Sequence, residues 1–141
     1  MTLNEYFKDP GKFKKRIIVI SVKDEGSKYV KNFSAAAGLK LKMKFAFQNS
    51  YVAVVDPKRD FLYEKSSTAK IECSYKVGDK YIDIVSAGFG GGKRSSVRVS
   101  GEEYSLDRTG LNVVIFNARN LKLVDSFSCD SYRDENLTVT K

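Results

Sequence analysis

Apolar and polar positions change rhythm several times along the chain, and each rhythm predicts an element. Residues 17–22, Ile-Ile-Val-Ile-Ser-Val, are apolar on both alternating faces, the pattern of a central strand covered on both sides. Asp24 then stands where a helix N-cap belongs. Tyr29, Val30, Phe33, Ala36 and Ala37 recur at helical spacing until Gly38 offers a C-cap, so one main helix is expected over about residues 25–37. From Leu39 to Phe47 the alternation is strict: Leu39, Leu41, Met43, Phe45 and Phe47 on one side, Lys40, Lys42 and Lys44 on the other. That predicts a strand showing a row of ammonium groups, which discourages edge-to-edge pairing or attracts anions. Tyr51 to Val55 reads as a buried strand ended by Asp56-Pro57. Five more follow at 69–77, 81–89, 95–99, 111–117 and 121–130, joined by short turns such as Gly78-Asp79 and Ser100-Gly101. Ahead of them all, Thr2 to Lys8 forms a short helix that stops before the Asp9-Pro10-Gly11 turn. The expected fold is α+β and mostly β: a compact, β-sandwich-like single domain over residues 1–141, with mixed sheets, one main helix and a short N-terminal helix.

Composition narrows the function classes. The 141 residues are 42% hydrophobic, enough for the core of one domain. No apolar run reaches membrane-spanning length, and the start lacks the basic-then-apolar order of a secretion signal, which predicts a soluble, cytoplasmic chain. Histidine is absent, removing the usual general base near neutral pH and the commonest metal ligand. Adjacent carboxylates occur at Asp24-Glu25, Glu102-Glu103 and Asp134-Glu135, but neighbours on a strand point oppositely, and no pair is placed to face one bond. The expectation is a non-catalytic protein with no metal and no cofactor. Its cysteines, Cys73 and Cys129, lie far from any C-x-x-C spacing and alternate in phase with apolar neighbours; buried free thiols are favoured over a disulfide. The formal net charge of +8 favours an anionic partner without saying which.

One stretch invites a nucleotide reading. In SAGFGGGKRSS, residues 86–96, glycines run straight into two cations. A P-loop needs G-x-x-x-x-G-K-[ST] leading into a helix. Here the glycine spacing is one residue short, Arg94 stands where the hydroxyl belongs, and the following residues alternate like a strand. A tight glycine-rich turn between strands, with Lys93 and Arg94 at its rim, is the expectation.

At Lys23-Asp24-Glu25-Gly26-Ser27 the chain meets a known pattern. RIIVISVKDEGSKYVKNFSAAAGL followed by FQNSYVAVVD resembles the second half of the interleukin-like EMT inducer family domain, above all the branch forming the stem of a protein O-mannose N-acetylglucosaminyltransferase. GLNVVIFN at 110–117 and VDSFSCD at 124–130 resemble that family's first half, so the halves stand in exchanged order, as in a circular permutation. The join would fall in residues 56–68. The resemblance implies a binding module without catalysis, and in the stem branch a sugar site built from the aspartate of KDEGS and two arginines. Asp24 matches that aspartate. Gln48 stands at one arginine position; Thr109 stands at the other, with Arg108 immediately before it.

Two binding readings follow. The first is carbohydrate recognition, or an accessory role in surface polysaccharide metabolism, at Asp24, Gln48 and Arg108, with Tyr51 or Phe89 as the aromatic flank. The alternative is a nucleic-acid or acidic-partner binder using Lys40, Lys42, Lys44 and the basic run Lys12 to Arg16.

Overall fold

The computed structural model describes all 141 residues. After the four-residue helix α1 (Leu3–Tyr6) come nine strands: β1 (Arg16–Asp24), β2 (Ser50–Asp56), β3 (Phe61–Ser67), β4 (Ile71–Val77), β5 (Lys80–Gly88), β6 (Arg94–Val99), β7 (Glu102–Glu103), β8 (Gly110–Asn117) and β9 (Leu123–Cys129). They form one continuous mixed sheet folded over on itself. One layer runs β3-β2-β1-β8-β9, and the other is β5 flanked by β4 and β6, with β7 at the edge.

The apolar run of β1 explains this layering, because it feeds two cores at once. Ile18, Ile20 and Val22 face one cluster with Tyr51, Leu111, Val113 and Phe127. Ile17 and Val19 face a second, in which Val52, Val54 and Val114 meet Ile82, Ile84, Val97 and Val99 of the opposite layer. Each such side chain, taken from water to full burial, contributes about 1.5–3 kcal/mol, so β1 anchors the whole molecule. The first core is closed from outside by α1 and by residues 25–49. Phe7, with Phe13 and Phe33 at 5.0 and 5.5 Å between ring centroids, fills its centre.

The expected α+β, mostly β architecture is present, but two elements differ from expectation. Residues 25–37 do not form one main α-helix; they make two short 3-10 turns, Val30–Asn32 and Ser34–Ala36. Val30, Phe33, Ala36 and Leu39 are all buried and lie three apart. Three residues per turn is the 3-10 period, whereas an α-helical stripe also uses spacings of four. Residues 39–47 are not a strand either. Leu39, Leu41 and Met43 point inward and Lys40, Lys42 and Lys44 outward, as the alternation requires, but Lys40 and Met43 have φ of 63° and 52°. No neighbouring strand serves this segment's backbone. Instead the Glu64 carboxylate accepts from the N–H groups of Lys42 and Met43 at 3.0 and 2.8 Å. Glu64 belongs to β3, a strand within the stretch expected to be a bare join.

Both thiols are free; Cys129 is buried and Cys73 half-buried. Burial pushes Cys129 up to about 12. No helix is long and apolar enough to cross a membrane.

Candidate functional site

The far end of β1 is a fork. Along one edge β1 pairs with β8 over all but its last residue, from Arg16 opposite Asn117 to Lys23 opposite Gly110. Along the other it pairs with β2 only from Ile18 to Ser21, and then runs parallel to β5 at Lys23–Ala87 and Asp24–Gly88. Where β2 departs and β5 arrives, backbone groups lose their ladder partners, and buried groups of that kind need replacements. Serines supply them. Ser21 Oγ donates to the Val85 carbonyl at 2.7 Å. Ser86 Oγ donates to the Val22 carbonyl at 2.6 Å and accepts from the Tyr51 N–H at 2.9 Å. Ser50 Oγ accepts from the Gly88 N–H at 2.9 Å. All three serines are fully buried.

Gly88 lies at the crotch of this fork, against the backbone of residues 48–50. A Cβ added there would fall 2.2 Å from the Gln48 carbonyl oxygen and 2.7 Å from the Asn49 carbonyl carbon, so only glycine fits. Three non-glycine residues with left-handed backbone surround it: Asp24 (φ 64°), Gln48 (φ 61°) and Lys93 (φ 53°). Such conformations cost of order 1 kcal/mol or more each and concentrate where geometry serves a purpose. Asp24 is thus not a helix N-cap as expected, but the last residue of β1. Its carboxylate and the Gln48 carboxamide are partly exposed and make no hydrogen bond within the chain.

The neighbouring carboxylate behaves oppositely. Glu25 is buried, and its two oxygens accept from the N–H groups of Ser27, at 2.6 Å, and of Gln48. It therefore ties the residue after Asp24 to Gln48 and sets the spacing between the two free polar groups. In the sequence Glu25 stood out only as one of a pair of adjacent carboxylates, and the serines did not stand out at all. The available signal was a polar residue inside an otherwise apolar strand: Ser21 in IIVISV, or Ser86 after Ile84-Val85.

Around the fork the glycine-rich stretch makes the expected tight connection. Phe89–Gly91 forms a 3-10 turn, and the Lys93 N–H closes on the Gly88 carbonyl at 3.2 Å. Phe89 is 49% exposed, with Lys93 Nζ 4.4 Å from its ring centre, and Phe47 beside Gln48 is 59% exposed. The KDEGS stretch also touches the other half of the resemblance. Ser131 Oγ donates to the Gly26 carbonyl at 2.6 Å, and Gly26 lies against Gly110, whose φ of 100° and close approach to the Cys129 carbonyl exclude a side chain.

Two expected site residues are not at this surface. Tyr51 is fully buried: its ring stacks on Phe45, and its hydroxyl donates to Glu64 at 2.6 Å. Burial, reinforced by that carboxylate, drives its ionisation far upward. An aromatic in an all-apolar run such as Tyr51-Val-Ala-Val-Val55 belongs to the core. Arg108 is placed by Asn112, whose side chain brackets its backbone at 2.9 and 2.8 Å. Its guanidinium reaches toward the carbonyls of Thr140 and Lys141, 3.5 and 3.3 Å away, rather than toward Asp24. In each of the two carboxylate pairs elsewhere, one member is consumed locally: Glu103 accepts from Ser96 and Val97, Asp134 from Asn136 and Thr138.

In comparison with known proteins, no family model, no curated protein and no solved structure matches this chain.

Proposed function

We propose that the chain is a non-catalytic binding module that recognises a carbohydrate at the fork of β1. One observation carries this reading. An unpartnered carboxylate and an unpartnered carboxamide, Asp24 and Gln48, are held on strained backbone either side of Gly88, next in sequence to the exposed rings of Phe89 and Phe47. The chemistry suits a sugar. The carboxylate accepts from hydroxyls, and the carboxamide both donates and accepts, which matches vicinal hydroxyls acting in both senses. An exposed phenyl ring offers a flat apolar face for the ring C–H groups of a pyranose. Arg108 and Tyr51 are not part of the proposed site. The permuted-domain reading is retained as part of the proposal, supported by the side-by-side register of β1 with β8 and by the contact of Gly26 with Gly110.

The test is a panel of immobilised neutral and acidic glycans, probed with the wild-type chain and two variants. Asp24→Asn keeps a residue that tolerates left-handed backbone but removes the charge. Gln48→Gly relieves the strain and removes the amide. The expected outcome is selective binding by the wild type and a loss of tenfold or more in each variant, with unchanged circular dichroism. Failure of the wild type to bind any sugar at millimolar concentration ends this reading.

A further inference from the structure

The opposite end of β1 carries a second, chemically different feature. Lys15, Arg16, Lys58 and Arg119 line a cleft of about 380 Å³ whose remaining walls are Asn117 and Ala118. No acidic residue lines it, and none of the four cations has an ion-pair partner: the salt bridges of the chain use Lys23, Arg59, Lys70, Arg98 and Lys141. Chain connections from three directions build the cluster. The start of β1 brings Lys15 and Arg16, the turn after β2 brings Lys58, and the turn after β8 brings Arg119. The Ala118 N–H locks two of these together by donating to the Lys15 carbonyl at 3.0 Å. Arg16 also lines a neighbouring cleft of about 790 Å³, where Lys8, Lys12 and Lys141 join it over an apolar floor that includes Phe13, Val124 and Val139. Arg16 is common to both clefts, which together make a basic groove.

We propose that this groove binds a single-stranded nucleic acid through its phosphodiester backbone. Three properties select that ligand. First, the groove offers mainly hydrogen-bond donors. Its acidic side chain, Glu5, is held in a capping box by the Thr2 N–H at 3.2 Å, and the Asn117 side-chain oxygen takes the Arg119 N–H at 2.9 Å. A hydroxyl-rich neutral sugar needs acceptors as well, whereas phosphate oxygens only accept. Second, the cations run through both clefts, a longer track than a lone phosphate requires, and the partly exposed ring of Tyr6 and side chain of Val124 offer apolar surface beside them. Third, the groove is concave, and no helix longer than four residues projects from the chain to lie in the major groove of a duplex. The proposal is independent of the carbohydrate reading, which concerns the other end of β1.

The experiment is fluorescence anisotropy with a labelled thymidylate oligomer of about 12 nucleotides, within the usual range of single-strand site sizes, at salt concentrations from about 50 to about 200 mM. The wild type is expected to bind and to weaken at least tenfold across that range. Lys58→Gln with Arg119→Gln removes two phosphate contacts and is expected to lower affinity tenfold or more and to flatten the log–log salt slope by about 1.4. The same change of charge at Lys76→Gln with Lys80→Gln, on the β4–β5 hairpin, and Asp24→Asn at the fork are expected to leave binding unchanged. A thermal melt of each variant verifies folding. If the groove variant melts early, amide shifts of Lys15, Arg16, Lys58 and Arg119 in the wild type on adding the oligomer decide instead. No binding at the lowest salt, equal loss in the hairpin variant, a duplex held as tightly as the strand, or a heparin fragment of matched length held more tightly would each overturn the proposal.

Discussion

The two ends of β1 are built on one strand yet carry opposite chemistry. At the Arg16 end the ladder is regular, β1 pairing with β8 in simple register, and the surface gathers unpaired cations with few acceptors. At the Asp24 end the ladder splits, left-handed residues meet around one glycine, and the surface groups are an acceptor and an amide beside exposed rings. The difference shows what each end asks of the fold. Cations act at a distance and tolerate long, mobile side chains, so an ordinary strand end suffices. Directional bonds to hydroxyls need fixed geometry, and fixed geometry here means buried serines, a buried carboxylate and a glycine with no room to change.

That contrast predicts very unequal responses to mutation. The largest effect is expected at Gly88. Gly88→Ala drives a Cβ into the backbone of residues 48–50, which cannot rotate aside; we expect a loss of about 4 kcal/mol or more, seen as a fall in Tm of roughly 10 °C or more. Second is Ser86→Ala, which strands the Val22 carbonyl and the Tyr51 N–H in the dry interior. Removing both bonds is expected to cost about 2–4 kcal/mol in chemical denaturation, and a cost below about 1 kcal/mol would mean that the fork is not stitched as described. Third, Lys58→Gln with Arg119→Gln at the basic end is expected to change stability by less than about 0.5 kcal/mol, because neither cation has a partner to lose.

A further modest effect, one that depends on pH, is expected away from both ends, at Glu103. Burial acts to raise its ionisation, but bonds from the Ser96 hydroxyl, the Val97 and Ser105 N–H groups and Arg98 outweigh it and hold the carboxyl below its ordinary value of 4.5. A group depressed in the folded state stabilises above its unfolded value and loses that contribution as pH falls through the folded one. Glu103→Gln is therefore expected to cost less than about 1 kcal/mol at neutral pH, since the site is part-exposed, and the gap to wild type is expected to close in urea titrations as the pH drops below about 4.5.

The sequence was most legible where the pattern of burial along a strand is regular. The apolar run of β1 and the alternation of β4, β5 and β6 state their faces directly, and those strands lie within a residue or two of expectation. It was least legible where side chains stand in for backbone partners. Residues 39–44 alternate like a strand because their side chains do alternate in and out, though Phe47 at the end of the run is exposed, and a Glu64 carboxylate, not a neighbouring chain, satisfies the N–H groups of Lys42 and Met43. Val30, Phe33 and Ala36 at spacings of three fit a helical stripe loosely and two 3-10 turns closely. At the fork, Asp24 was identified for its type and place in KDEGS, while its strained backbone and its division of labour with Glu25 depend on Gly88, distant in sequence. Tyr51 was placed at the site for its aromatic ring although its run, Tyr51 to Val55, already reads as a buried strand, and the structure follows the run.

The most direct measurement is a two-dimensional amide NMR titration of the wild-type chain with neutral mono- and disaccharides. The account predicts shifts at Asp24, Gln48, Gly88, Phe89 and Lys93 that saturate together, with Arg16 and Arg119 unmoved. Shifts centred on the basic end, or none anywhere at millimolar sugar, would contradict it.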